Sequence, residues 1–154
     1  MSITTIDGFI QGWLSHRKVL EEMLADVTTE QLSYKPWDSA MSLSGLVLHM
    51  TSAMGMFAST VKNGAYVPGT KRQPVATIEE LRAGVAEDTK QTEAILRTIT
   101  AEELEREIEF FGNKATGAKL LQNGKEHEIH HKGQLFIYLR IVGIEKLPFY
   151  VSRG

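Results

Sequence analysis

The segment SLSGLVLHMTSAMGMFASTVKNG, residues 42–64, decides the fold class of this chain. Its apolar residues recur at the spacing that places side chains on one face of an α-helix. The stripe consists of Leu43, Leu46, Met50, Ala53, Met54, Phe57 and Val61. Asn63 and Gly64 then supply a stop signal, because glycine favours the left-handed conformation that ends many helices. The pattern predicts a helix from about Ser42 to Lys62 with one buried face.

Two other segments, one on each side of this helix, show the same periodicity. The N-terminal stripe consists of Ile6, Phe9, Ile10, Trp13, Leu20 and Leu24, with Arg17, Lys18, Glu21 and Glu22 largely off it. Downstream, Thr77-Ile78-Glu79-Glu80 has the form of a capping box and predicts the start of a third helix. The inner face of that helix includes Ile78, Leu81, Val85, Thr92, Leu96 and Ile99.

The fourth long helix is predicted from about Thr116 to Val142, and Gly143 and Pro148 follow it. Two interpretations of its internal glycines stay open: close approach of another helix, or a break near Gly124. Thr100 repeats the capping pattern and predicts a short extra turn, and residues 107–111 suggest an extended connector. Since no alternating pattern is strong enough to indicate a sheet, we predict an all-α four-helix bundle forming a single domain, 1–154.

The composition excludes several classes of protein. The chain has 154 residues, 42% of them hydrophobic, a net charge of −2 and no cysteine. Without a basic excess there is no sign of nucleic-acid binding. Without cysteine there are no disulfides and no thiolate ligands or nucleophiles. No apolar run approaches the roughly 20 residues that span a bilayer, and the start does not resemble a signal peptide. We therefore expect a cytoplasmic protein that is not in a membrane.

Three of the five histidines crowd into His127-Glu128-Ile129-His130-His131. His127 and His131 are four residues apart, so they lie one turn apart in the middle of an apolar helix face. Buried imidazoles need partners for both ring nitrogens. Two interpretations fit: two ligands of one metal ion, or two histidines hydrogen-bonded at the edge of the core.

His49 favours the metal site, because a bundle site needs a third ligand from a neighbouring helix. It lies on the flank of the inward stripe of the second helix. His16 has a more polar neighbourhood and is expected at the surface or behind the ligands. His130 is expected at the rim. Asp88, on the inner face of the third helix, could orient a histidine or instead meet solvent or a lysine.

The string HEIHH is also a literal H-E-x-x-H, the zinc-protease motif, in which Glu128 would activate water. The extended form of that motif needs glycine at 134 and histidine at 137, where this chain has Gln134 and Ile137. The predicted bundle also lacks the sheet of those proteases. The protease interpretation is therefore rejected, and Glu128 remains a candidate base.

The string HEIHHKGQL, the earlier Leu46-Val47-Leu48-His49 and the terminal Gly143…Leu147-Pro148 resemble the DinB family, the DinB/YfiT-like metalloenzymes, over nearly the whole chain. The resemblance implies a four-helix bundle, often dimeric, with a metal held by three histidines. They correspond to His49, His127 and His131, and the metal would be a divalent ion, with zinc or nickel favoured. This chain has Lys132 where arginine is more common in the family.

A site of three histidines leaves a coordination position open for water or substrate, as catalytic metals do. Some relatives are thiol-dependent transferases, so the resemblance implies transfer of a low-molecular-weight thiol to a small electrophile. The first alternative is a metal-dependent hydrolase using metal-bound water, with Glu128 as base. The second is a metal-stabilised stress or binding protein without turnover, which would have a closed site and no adjoining pocket.

A partner surface is suggested on the back of the fourth helix. Ile129 and Phe136 lie there, flanked by Lys125, Lys132 and Arg140. Apolar residues on the expected solvent side would be covered by a second copy, which predicts a homodimer. The alternative is that the third helix or the C-terminal tail covers them.

Overall fold

Four long helices form the protein in the computed structural model, which describes residues 5–70 and 72–153. The helices are α1 (Ile6–Met23), α2 (Leu43–Asn63), α3 (Ile78–Arg97) and α5 (Gly117–Ile141), with a short α4 (Ala101–Glu105) before a hairpin. A 3₁₀ turn, Thr29–Ser33, lies between α1 and α2. The predicted four-helix bundle is confirmed. Within the described residues, no helix is long and apolar enough to cross a membrane.

Each long helix begins at a hydroxyl side chain that accepts a hydrogen bond from a backbone N–H of the first turn. The caps are Thr5, Ser42, Thr77 and Thr116. Such a bond satisfies one of the unpaired amides at a helix start. The full capping box forms at Thr100, as predicted, but not at Thr77, because the Glu80 carboxylate accepts from the amide of Ala76 instead.

The apolar stripe of α2 lies at the centre of the bundle. Leu46, Met50, Met54 and Val61 have no exposed surface, and α2 packs against both α3 and α5. Burying side chains of this size stabilises the fold by about 1.5–3 kcal/mol each. Gly64, in the left-handed conformation with φ 84°, ends the helix where predicted.

The connector before α5 is a β-hairpin, which corrects the prediction of no sheet. Strand β1 (Glu107–Phe110) pairs antiparallel with β2 (Asn113–Thr116), with Phe110 opposite Asn113. The turn residues Phe111 and Gly112 both have positive φ, 50° and 84°, as a two-residue hairpin turn requires. Phenylalanine is unusual at such a position, so the turn signal in the sequence was weak.

The C-terminal tail returns along α1 and α5. The amide of Ser152 donates to the carbonyl of Ser15 over 2.8 Å, and Nζ of Lys132 donates to the carbonyl of Tyr150. Lys132 is therefore buried. This corrects the prediction that Lys132 flanks Ile129 and Phe136 on a solvent-facing surface. Ile129 and Phe136 are half-buried, and the homodimer stays a prediction.

Helix α5 is continuous through Gly124, so the predicted alternative of a break there is wrong. A methyl group at Gly124 would lie 2.9 Å from ring carbons of Phe57 and 3.1 Å from Sδ of Met54. Both neighbours are on α2. The glycine is thus a point of close approach between α2 and α5.

We expect Gly124→Ala to destabilise the protein although alanine is the better helix former. The forced overlap with the Phe57 ring should cost about 1–3 kcal/mol, more than the roughly 1 kcal/mol gained in helix propensity. Gly133→Ala in the same helix is the matched control, because a methyl group there meets nothing within 4 Å. Urea denaturation should show opposite shifts of the midpoint. Equal shifts would contradict the close approach.

Candidate metal centre

Three histidines from two helices meet at one point of the bundle. His49 comes from α2, and His127 and His131 are one turn apart on α5. One ring nitrogen of each lies within 4.8 Å of the others, and Nε2 of His127 is 3.1 Å from Nε2 of His131. Two nitrogens each bound about 2.0–2.1 Å from one zinc ion would be roughly 3–3.5 Å apart. The spacing fits a shared divalent ion.

The packing of α2 against α5 produces this meeting. Met54 and Phe57 lie beside Gly124, and one turn farther along α5 His127 faces His49, with ring centroids 5.0 Å apart. The two helices therefore run antiparallel, and His131 follows at 4.8 Å from His49. Tertiary structure thus brings His49 to the histidine pair on α5.

Gln134 orients the ring of His131. Its Oε1 lies 2.8 Å from Nδ1 of His131. An amide oxygen only accepts hydrogen bonds, so Nδ1 carries the proton and the lone pair of Nε2 points toward His127. Hydrogen bonds of this kind fix the tautomer of metal-binding histidines. The sequence showed Gln134 next to the motif, but its role was not recognised.

His49 and His127 favour the neutral form that binds metals. Burial, and then the neighbouring His131, His49 and His130, lower the pKa of His127 to about 4. Burial and His131 also lower the pKa of His49. Nδ1 of His127 is buried and has no hydrogen-bond partner within residues 5–70 and 72–153. Lone pairs on Nε2 of His127 and Nε2 of His131, 3.1 Å apart, would repel each other, and a bound cation would remove that repulsion. The residues therefore fit a metal ion.

The ligand group contains three side chains among the residues that the structure describes. Three imidazoles suit zinc, nickel, iron and copper alike, so the donor set does not choose among them. Structural zinc sites usually have four protein ligands, whereas catalytic sites keep one position open. A metal held by these three side chains alone would keep one position open.

Glu128 lies in a buried ion pair and not among the ligands. Its Oε2 accepts from Nε of Arg17 over 2.9 Å, and its Oε1 accepts from Nη2 of Arg17 over 2.6 Å and from the indole of Trp13 over 3.2 Å. Both oxygens are occupied, so this geometry gives no support to Glu128 as a base that activates water.

Arg17 is fully buried, which corrects its placement on the polar side of α1. The sequence did contain a signal, since Arg17 is one turn after Trp13 and one turn before Leu20. A charged residue within an apolar stripe needs a buried partner. Glu128 supplies that partner from α5.

His16 is half-buried on α1 and contacts Lys132, so it is not at the open surface. Its Nδ1 is 2.7 Å from Nζ of Lys132. Burial and the charges of Lys132 and Lys125 lower the pKa of His16 to about 4, and burial lowers the pKa of Lys132 to about 8. His16 and Lys132 join α1, α5 and the tail at the carbonyl of Tyr150.

His130 and Asp88 lie outside the ligand group. His130 is exposed at the rim, with its ring 5.1 Å from that of His131. Among residues 5–70 and 72–153, Asp88 bonds neither a histidine nor a lysine, and its side chain is largely buried. It accepts from Thr51 over 2.6 Å and from Nε of Arg72 over 2.9 Å. Arg72 was not predicted to take part, because it comes from the loop before α3.

Two cavities of different character adjoin the cluster. One, about 360 Å³, has His131 and Gln134 in its wall and is otherwise lined by Pro36, Trp37, Ala40, Met41, Ile137 and Tyr138. The other, about 510 Å³, has His49 in its wall. Its polar lining includes Ser42, Ser44, Ser52, Thr70 and Arg72. His131 thus borders an apolar cavity, and His49 borders a second cavity whose lining mixes polar and apolar residues.

Comparison with proteins of similar sequence and fold places the chain in a family. The model of the DinB family matches residues 1–154. The chain belongs to the DinB family. YjoA of Bacillus subtilis, described as uncharacterized, is 41% identical to this DinB protein over 147 residues, which cover 94% of this chain and 95% of YjoA.

Crystal structures of DinB-like proteins share the bundle. YjoA superposes with a TM-score of 0.85 and 39% identity, covering 96% of this chain and 99% of that one. YfiT of Bacillus subtilis, described as having an unusual four-helix bundle topology, superposes with a TM-score of 0.74 and 19% identity, covering 94% and 91%. These likenesses agree with the bundle predicted from the sequence.

We expect this DinB protein, purified without an affinity tag, to carry about one divalent ion per chain. His49→Ala, His127→Ala and His131→Ala should each abolish stoichiometric metal, and His130→Ala is the matched control at the rim. Gln134→Leu should weaken metal affinity by about 10–100-fold because His131 loses its orienting acceptor. Elemental analysis and competition with a chelator measure these effects. Full occupancy in His49→Ala would refute the three-ligand site.

The metal-free protein should lose stability as the pH falls from about 6.5 toward 4. His127 and His16 have folded-state pKa values of about 4, below the unfolded value of 6.5, so the unfolded chain binds more protons in this range. Denaturation in a chelator at several pH values measures the slope. His127→Gln should reduce it, and an unchanged slope would show that His127 is not protonated on unfolding.

Proposed function

We propose that this protein is a metal-dependent enzyme that transfers a low-molecular-weight thiol to a small electrophile. The observation that carries the proposal is the three-histidine cluster, with one cavity at His131 and a second at His49. Two separate cavities at the activating group would give each of two unlike substrates its own space. The family resemblance, which includes thiol-dependent transferases, supports the same reaction class.

His49, His127 and His131 would hold the ion, and Gln134 would keep His131 in the binding tautomer. Zinc or nickel bound there would lower the pKa of a thiol and so supply a thiolate at neutral pH. The chain has no cysteine, so the thiol must arrive with a cosubstrate. The lowered pKa of His127 keeps its imidazole neutral near pH 7, so it can bind the ion without first losing a proton.

The cavity at His49 suits the thiol cosubstrate, because the serine and threonine hydroxyls in its mixed lining can bind the polar groups of such a molecule. In the transfer, the sulfur forms a bond to the electrophilic carbon while the bond from that carbon to its leaving group breaks. The leaving group departs with the electron pair, and the thiol proton passes to solvent. No oxidant or reductant is required.

A metal-dependent hydrolase is the second candidate. YfiT, which shares the fold at 19% identity, is described as a probable metal-dependent hydrolase. Hydrolysis at the same cluster would use water in place of the thiol. It would also need a base near the water, and both oxygens of Glu128 are held by Arg17 and Trp13. A metal-stabilised protein without turnover would have a closed site and no adjoining pocket, and the two cavities at the cluster do not favour that alternative. A cytoplasmic location and a homodimer stay part of the proposal.

The test is turnover of 1-chloro-2,4-dinitrobenzene with cysteine, glutathione or coenzyme A by the zinc- and nickel-loaded protein. We expect thiol-dependent release of chloride, with kcat/KM falling to background in His49→Ala and unchanged in His130→Ala. In parallel, 4-nitrophenyl acetate without thiol tests the hydrolase. Activity that persists in metal-free His49→Ala would overturn the proposal, and ester cleavage without thiol transfer would favour the second candidate.

A further inference from the structure

The apolar cavity beside His131 has the features of a specific binding site. It lies between the loop 34–42 and the C-terminal half of α5 and has a volume of about 360 Å³. None of its lining residues is a lysine, arginine, aspartate or glutamate. Small-molecule sites typically have this size, with apolar walls and a few polar groups at one end. His131 and Gln134 are those polar groups.

The walls of the cavity are held in place by contacts that do not involve a ligand. The hydroxyl of Tyr138 donates to the carbonyl of Met41 over 3.0 Å, and the amide of Leu43 donates to the carbonyl of Tyr34 over 2.9 Å. The rings of Tyr34 and Tyr138 pack edge to face, 5.7 Å apart. The loop is therefore fixed to α5, and the cavity is preformed.

Two large apolar side chains remain exposed at this cavity. Trp37 is 63% exposed and Ile137 is 62% exposed, whereas the other tryptophan, Trp13, is fully buried. Their exposed apolar area lies beside the metal ligand His131. Apolar surface next to a concave site is commonly covered when a ligand binds.

We propose that this cavity binds the uncharged, apolar part of the electrophilic substrate, an aromatic ring or a branched alkyl group, with Trp37 and Ile137 as specificity-determining residues. Only the electrophilic character of the substrate rests on the proposed function. A ring between Trp37 and Ile137 would stack on the indole. The His131 and Gln134 end of the cavity then directs the rest of the substrate toward the three ring nitrogens.

Binding can be measured apart from any reaction with 4-fluorobenzyl alcohol, an uncharged ring without a thiol or a leaving group, followed by ¹⁹F NMR. We expect saturable binding that is about five- to tenfold weaker in Trp37→Ala and Ile137→Ser, because each loses ring contacts. Trp37→Phe should largely restore it. Phe111→Ala is the matched control, since Phe111 is 73% exposed on the hairpin turn and does not line the cavity.

The cobalt-loaded protein tests whether the ring lies near the metal centre. Paramagnetic relaxation falls steeply with distance from the cobalt ion. With the wild type, the fluorine signal should therefore relax faster in the presence of cobalt than in its absence. Trp37→Ala should lose this enhancement. Binding that is equal in all variants would overturn the proposal. So would concentration-dependent dimerisation abolished by Trp37→Ala in sedimentation velocity, because a second copy would then cover the cavity.

The binding and turnover experiments can fail separately. Ring binding without thiol transfer would leave the cavity assignment standing and remove the transferase. Thiol transfer that is unchanged in Trp37→Ala and Ile137→Ser would leave the transferase standing and remove the cavity assignment.

Discussion

The close approach of α2 and α5 at Gly124 is the constraint on which the site depends. A single added methyl group would overlap the Phe57 ring, so the distance between the helices is set by the absence of a side chain. One turn farther along, that distance lets His49 reach His127 and His131. A wider separation would leave two histidines on α5 with no third ligand.

The short string HEIHHK contains two interleaved pairs with the same four-residue spacing. His127 and His131 face α2 and form the ligand group, whereas Glu128 and Lys132 face α1 and the tail. Glu128 is bound by Arg17 and Lys132 by His16. These contacts hold α5 at the rotation that turns His127 and His131 toward α2. Removing one partner of the buried Arg17–Glu128 ion pair typically costs about 3–5 kcal/mol, because a buried charge is then left unpaired.

The resemblance to a protease motif does not extend to the structure, because Glu128 faces α1. In H-E-x-x-H proteases the glutamate works beside the metal, but here its carboxylate faces the opposite helix and binds Arg17. The open ligand position and the preformed apolar cavity at Trp37 are the features that point to chemistry on a small molecule.

The sequence by itself determined the bundle, its helix ends and the histidine pair on α5, because periodicity, capping hydroxyls and four-residue spacing are local properties. It also indicated His49, though without proof of contact. Tertiary structure alone decided the roles of Arg17, Lys132 and Arg72 and the shape of both cavities. A buried charge is stable only beside its partner, and those partners lie up to 116 positions away in the chain.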